Sequence, residues 1–219
     1  MITKESIRQD ESIQTYIRKA DQSMEALGFT EHSVAHVSKV AQFAETLLLE
    51  LGYPQRTAEL AWIAGYMHDI GNIVNRVDHA QSGAVMAFRI LDKLGCDPEE
   101  LSTIVSAIGN HDEKTAFPVN EVAAALILGD KTDVRRSRVR NQDPASFDIH
   151  DRVNFAVTEA RTVLNKEKKA VTLEVTIDSE ISPVMSYFEI FLDRMILCRK
   201  AAERLNLTFH LVVNGQGVL

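Results

Sequence analysis

The chain has 219 residues, 45% hydrophobic and 25% charged, an ordinary globular composition with enough length to bury a sizeable core. A net charge of -7 supplies no basic stripe for a phosphate backbone, which argues against a long nucleic acid as partner. No run approaches the roughly 18 consecutive apolar residues of a membrane span, and Met1-Ile2-Thr3-Lys4-Glu5-Ser6 is too polar for a signal peptide, so the expected location is cytoplasmic with no membrane partner.

From about residue 5 to 166, apolar residues recur at three- and four-residue spacing, as in Val37, Val40, Ala41, Ala44, Leu47 and Leu48. This predicts helices, broken near Gly28, Gly52-Tyr53-Pro54, Gly71, Gly95 to Pro98 and Phe117-Pro118. Thr30 or Ser33 suits the cap of the helix carrying His36, Thr57 lies near the start of the one carrying His68, and Asp97-Pro98 reads as a cap with proline just inside. Beyond Lys166-Glu167-Lys168-Lys169 the pattern changes. Val171 to Ile177 alternates as a half-buried strand does, Thr208 to Val213 reads as a second strand, and Val184 to Leu205 between them reads as one amphipathic helix. The predicted class is mostly α: a helical bundle over residues 1–166 with a small C-terminal α+β appendage, strand-helix-strand, over 167–219. Two strands alone are marginal, so the appendage needs a helix or a second chain against it, and a homodimer interface is one reading. Cys96 and Cys198 have no CxxC partner and read as small core residues on separate amphipathic helices.

His68-Asp69 closes the apolar run Leu60 to Met67, and a charge buried there requires a partner. One reading is a core histidine bonded to its neighbour's carboxylate. The other is a metal site, because imidazole binds first-row transition metals and one carboxylate can lend an oxygen to each of two ions. His36, His79, His111 and Asp130 elsewhere in the chain favour the metal. Lys131, Arg135, Arg136, Arg138 and Arg140 follow Asp130, and a continued helix would place 131, 135 and 138 on one face, where a phosphate could meet them. For Arg138 and Arg140 a solvated basic face is the preferred reading.

His36, His68-Asp69 and Asp130 resemble, in order and spacing, the H…HD…D signature of the HD superfamily of metal-dependent phosphohydrolases, over roughly residues 30 to 140. His79 and His111 resemble the two further histidines of its dinuclear members. The resemblance implies an HD-type bundle in which His36, His68, Asp69 and Asp130 hold one divalent transition metal ion. His79, His111 and the other oxygen of Asp69 would hold a second. Iron, manganese, nickel, cobalt and zinc all suit such ligands. It further implies hydrolysis of a small phosphorylated substrate, a nucleotide or similar metabolite, by a water activated at Asp69, with Lys131 at the substrate. His32, placed one helical turn before His36, Arg76, Lys131 and Arg135 are the candidate substrate contacts. His150 and His210 fall outside the matched region and carry no assigned chemistry. Asp112 to Pro118 lacks the paired histidine and the Gly-Tyr-Pro of the HD-GYP cyclic-dinucleotide phosphodiesterases. Two other classes stay open: a non-catalytic HD-fold signalling or dimerisation module, and a diiron oxygenase on the same ligands.

Overall fold

A computed structural model describes residues 1–219. Nine helices make up most of it: α1 (Lys4–Gln9), α2 (Glu11–Ala26), α3 (Val34–Glu50), α4 (Gln55–Met67), α5 (His79–Lys93), α6 (Pro98–Gly109), α7 (Glu121–Lys131), α8 (Ile149–Ala156) and α9 (Val184–Arg204). None is long and apolar enough to cross a membrane. The caps follow the local chemistry. Ser33 accepts from the amide of Ala35, Asp97 accepts from Glu99 and Glu100 with Pro98 in the first turn, and Asn120 accepts from Ala123. Each satisfies an amide that the helix start leaves unpaired.

The centre of the bundle is α4, whose residues Leu60 to Met67 are all buried. It packs on α3, α6 and α7. Gly65 makes the α3 approach possible: a Cβ there would stand 2.8 Å from the Cα of Ala41. That close crossing brings the start of α3 beside the end of α4. Gly71 does the same in the short 3-10 turn Ile70–Ile73, where a Cβ would stand 2.0 Å from the carbonyl oxygen of His79.

A four-stranded sheet follows: β1 (Val157–Asn165), β2 (Ala170–Ile177), β3 (Thr208–Val213) and β4 (Gln216–Gly217), in that spatial order. β1 and β2 are antiparallel, β2 and β3 parallel across α9, and β3 and β4 antiparallel. The register pairs Val171 with Phe209, Leu173 with Leu211 and Val175 with Val213, all buried, so one face is a continuous apolar surface. α9 lies between that sheet and α7, burying Tyr187, Phe191, Met195, Cys198 and Ala202 along one stripe. One hydrophobic core therefore runs from the N-terminal helices to β3.

Three expectations change. The helical reading up to residue 166 fails at β1, whose apolar Val157, Ala160, Val163 and Leu164 have helix-like spacing; on an edge strand with one half-exposed face, no strict alternation is imposed. The sheet thus begins before residue 166, and the strand-helix-strand unit has two further strands. Next, the helix carrying Asp130 ends at Lys131, and residues 132–148 follow an irregular path with 3-10 turns at Arg136–Arg138 and Pro144–Ser146. Positions 131, 135 and 138 share no helical face. Last, Cys96 lies in the turn after α5 rather than on a helix, although it and Cys198 are both buried.

Candidate metal centre

Six side chains from separate parts of the bundle meet at one buried point. His36 comes from the first turn of α3, His68 and Asp69 from the end of α4, His79 from the first position of α5, His111 from just past α6, and Asp130 from the last turn of α7. The four histidines are at most 2% exposed and Asp69 is 5% exposed.

Every ring is oriented by its Nδ1. That atom donates to Asp133 Oδ2 in His36 (2.9 Å), to the Gly65 carbonyl in His68 (2.7 Å), to the Arg76 carbonyl in His79 (3.1 Å) and to the Ile108 carbonyl in His111 (2.6 Å). These oxygens can only accept, so Nδ1 holds a proton and each ring turns its Nε2 inward. The inward atoms are poorly satisfied. His36 Nε2, His68 Nε2 and Asp69 Oδ2 are buried with no hydrogen-bond partner. An isolated core would leave no such group unpaired.

Their spacing suits an ion. His36 Nε2 stands 3.7 Å from Asp69 Oδ2 and 3.4 Å from Asp130 Oδ1, while His68 Nε2 stands 3.3 and 3.8 Å from the same two oxygens. Two ligand atoms each about 2.1 Å from a common ion at a tetrahedral angle stand about 3.4 Å apart. On the other side of Asp69, Oδ1 lies 3.6 Å from His79 Nε2 and 4.0 Å from His111 Nε2, and those two nitrogens are 3.2 Å apart. Asn72 donates to Asp69 Oδ1 at 2.9 Å and holds the carboxylate between the two groups. All nitrogen and oxygen, without thiolate, the donor set fits a transition metal rather than calcium.

The electrostatics agree. Burial alone would favour a neutral Asp69, but His68 and its neighbours outweigh it and hold the carboxyl well below the usual carboxylate range. Asp130 is likewise held low, burial being overcome by Lys131 and His36. Burial pushes His79 and His111 down, which keeps both rings neutral as ligands must be.

Beside this cluster lies a cavity of about 310 Å³ reached by Asp69 and Asp130. Among the expected substrate contacts, His32, Arg76 and Lys131 line it. His32 precedes the helix rather than sitting a turn inside it; its Nδ1 donates to the Thr30 carbonyl at 2.7 Å and its ring edges that of His36 at 5.6 Å. Arg135 does not reach the cavity, because beyond the end of α7 its guanidinium folds back onto Asp133 and Glu31. Arg138, read from sequence as a solvated cation, is instead 5% exposed and lines the cavity, as does His150. Arg140 pairs with Asp21.

Sequence reasoning also missed Arg194 and Glu113, whose contact joins α9 to the residues after α6. No local pattern marks either one, since only the packing of α9 on α7 brings them together.

Residues 34–133, from the start of α3 to the carboxylate behind His36, match the family model described as HD domain. An uncharacterized protein of Methanocaldococcus jannaschii is 25% identical over 203 residues, covering 82% of this chain and 77% of that protein.

Proposed function

We propose, from the premise that residues 34–133 are an HD domain of the metal-dependent phosphohydrolase superfamily, that the chain hydrolyses a small phosphorylated metabolite, a nucleotide or similar compound. The observation that carries this reading is the convergence of His36 Nε2, His68 Nε2 and Asp69 Oδ2, buried and unpartnered, next to a cavity lined by Arg76, Lys131, Arg138 and Arg194 as well as by Asp148 and Asp151. In this reading His36, His68, Asp69 and Asp130 hold one divalent transition metal ion, and His79, His111 and Asp69 Oδ1 hold a second. When bound, such ions polarise a water for attack on phosphorus and offset charge on the phosphate oxygens.

The chain's own residues do the rest. Asp69 presents one oxygen to each half of the site and is fixed by Asn72. Lys131, 4% exposed, is kept protonated because Asp130 and Glu113 outweigh the effect of burial. Its ammonium sits 2.7 Å from Asp130 Oδ2 at the cavity lining, where an entering phosphate would meet it. Arg76 spreads donors on the His79 side, with Nη1 donating to Asn72 at 3.3 Å. Five buried side chains and the partly buried Asp130, several with shifted pKa values and beside a cavity, favour an enzyme over a non-catalytic module.

Elemental analysis of wild type and Asp69→Asn, purified without chelator or affinity-tag metal, tests the reading. About two equivalents of transition metal per chain in wild type, lost in the variant, together with phosphate release from a nucleotide panel, is the expected result. Wild type that takes up no metal after reconstitution with iron, manganese and zinc sinks it.

A further inference from the structure

Part of the cavity's lining, Phe191 and Arg194, is supplied by α9, outside residues 34–133. We propose that Arg194 of α9 binds a second anionic group of the substrate, so that the site is built for a compound carrying a diphosphate rather than a simple phosphomonoester. This builds on the phosphohydrolase reading and narrows its substrate class.

Three observations carry it. Lys131 Nζ and Arg194 Nε approach the same oxygen of Glu113, at 3.4 and 2.6 Å, which limits their separation to about 6 Å. Since Lys131 also contacts Asp130, a ladder of charge runs from the donor cluster to α9 with one phosphate-length step between its cations. Asp130 and Glu113 together balance the two cations, and Glu113 is the only carboxylate that Arg194 contacts. Its contact with Arg194 is an ion pair, not an aligned hydrogen bond, and acts by positioning the guanidinium.

Arg194 is also held ready. Its guanidinium lies over the Phe191 ring, 4.6 Å from the centroid, and Nη1 and Nη2 make no hydrogen bond to the protein. An arginine fork with both terminal nitrogens unengaged can meet two phosphate oxygens at once. Arg138 adds one more free donor at the cavity. Nε and Nη1 donate at 2.9 Å to the carbonyls of Glu31 and Asp133, and Nη2 has no protein partner.

Finally, little of the cavity suits an apolar ligand. Leu27, Phe29 and Phe191 are its only hydrophobic lining residues, and both phenylalanine rings already carry a guanidinium, Arg76 over Phe29 at 5.7 Å and Arg194 over Phe191. At about 310 Å³ the space is at the small end of ligand pockets, so charge rather than stacked surface dominates recognition.

Calorimetry on the full-length, manganese-loaded protein decides it, with methylenediphosphonate, which cannot be hydrolysed, compared against methylphosphonate. Wild type is expected to prefer the diphosphonate, and Arg194→Met, which keeps an apolar stem over Phe191, to reduce that affinity ratio about 10-fold or more, as loss of a charge-assisted contact does. Arg194→Lys, with the charge but no fork, should recover part of the ratio. Equal affinities in wild type, or a ratio that Arg194→Met leaves unchanged while far-UV dichroism shows it folded, overturns the proposal. Hydrolysis of p-nitrophenyl phosphate is followed separately. A chain that shows the Arg194-dependent preference without cleaving any ester keeps this subsite and loses the hydrolytic function.

Discussion

Asp133 Oδ2 accepts a buried hydrogen bond of 2.9 Å from Nδ1 of His36, joining residues 97 positions apart. Lys39 Nζ at 2.7 Å and Arg135 Nε at 2.9 Å share the same carboxylate through Oδ1. Against the effect of burial, the His36 hydrogen bond, Arg138 and Arg135 hold the Asp133 carboxyl well below the usual range, the ionised carboxylate keeps a proton of His36 on Nδ1, and Nε2 is left facing Asp69 and Asp130. A carboxylate behind a ligating imidazole raises its basicity and fixes its orientation.

Asp133→Ala should accordingly weaken metal binding about 10- to 100-fold. Competition titration against a chelator reads this directly. An affinity equal to wild type would mean that His36 does not need its partner to bind.

Glu113 gives a stability that depends on pH. Burial raises its pKa, but Lys131 and Arg194 outweigh that effect and hold the folded carboxyl well below the usual range. The folded value lies under the unfolded value of about 4.3, so the ionised group stabilises the fold fully above about pH 5 and less as the pH falls toward the folded value. Urea denaturation of metal-free wild type and Glu113→Gln should therefore show a difference in midpoint that is widest near neutrality and narrows below about pH 4. A difference constant from pH 3 to 7 would assign the whole effect to packing.

Gly71→Ala has no room. The new methyl would meet the His79 carbonyl and the Gly83 amide, 2.0 and 2.4 Å from the ideal Cβ. A loss of about 1 to 3 kcal/mol is expected from such overpacking, with His79 displaced as the turn and α5 separate. Chemical denaturation gives the energy, and a metal stoichiometry below that of wild type would report the displaced histidine.

Phe191 is 1% exposed on the stripe of α9 that faces the bundle. Truncation by Phe191→Ala should cost about 3 to 5 kcal/mol. Because the core is continuous across bundle and sheet, the loss should appear in a single unfolding transition followed by both dichroism and Trp62 fluorescence. Two separated transitions would divide the chain into independent units.

Neither cysteine should react with a thiol reagent before unfolding. Cys198 is fully buried and burial pushes its thiol up; Cys96, 8% exposed, is also raised by burial and by Glu100. Labelling with Ellman's reagent in native buffer and in urea checks both.

The residue types raised a metal site as one reading, and the resemblance to the H…HD…D signature singled out the side chains that the structure brings together. A histidine or aspartate at the edge of an apolar run requires a partner wherever the chain folds, and His68-Asp69, His36 and Asp130 carry that requirement in their local sequence. Helix caps at Ser33 and Asp97 and the strands around Val171 to Ile177 and Thr208 to Val213 are equally local, set by capping chemistry and alternation. β1 was not legible, because an edge strand half open to solvent tolerates apolar residues at helix-like spacing.

Tertiary structure alone decided which cations face the cavity. Arg135 and Arg138 belong to one charge run, yet the end of α7 at Lys131 turns the first onto Asp133 and buries the second against backbone carbonyls at the cavity. Arg194 is one charged residue among several on α9, and it meets Glu113 only because the sheet presses α9 onto α7. Patterning along the chain records what each residue requires from its surroundings; long-range packing sets which residues supply it.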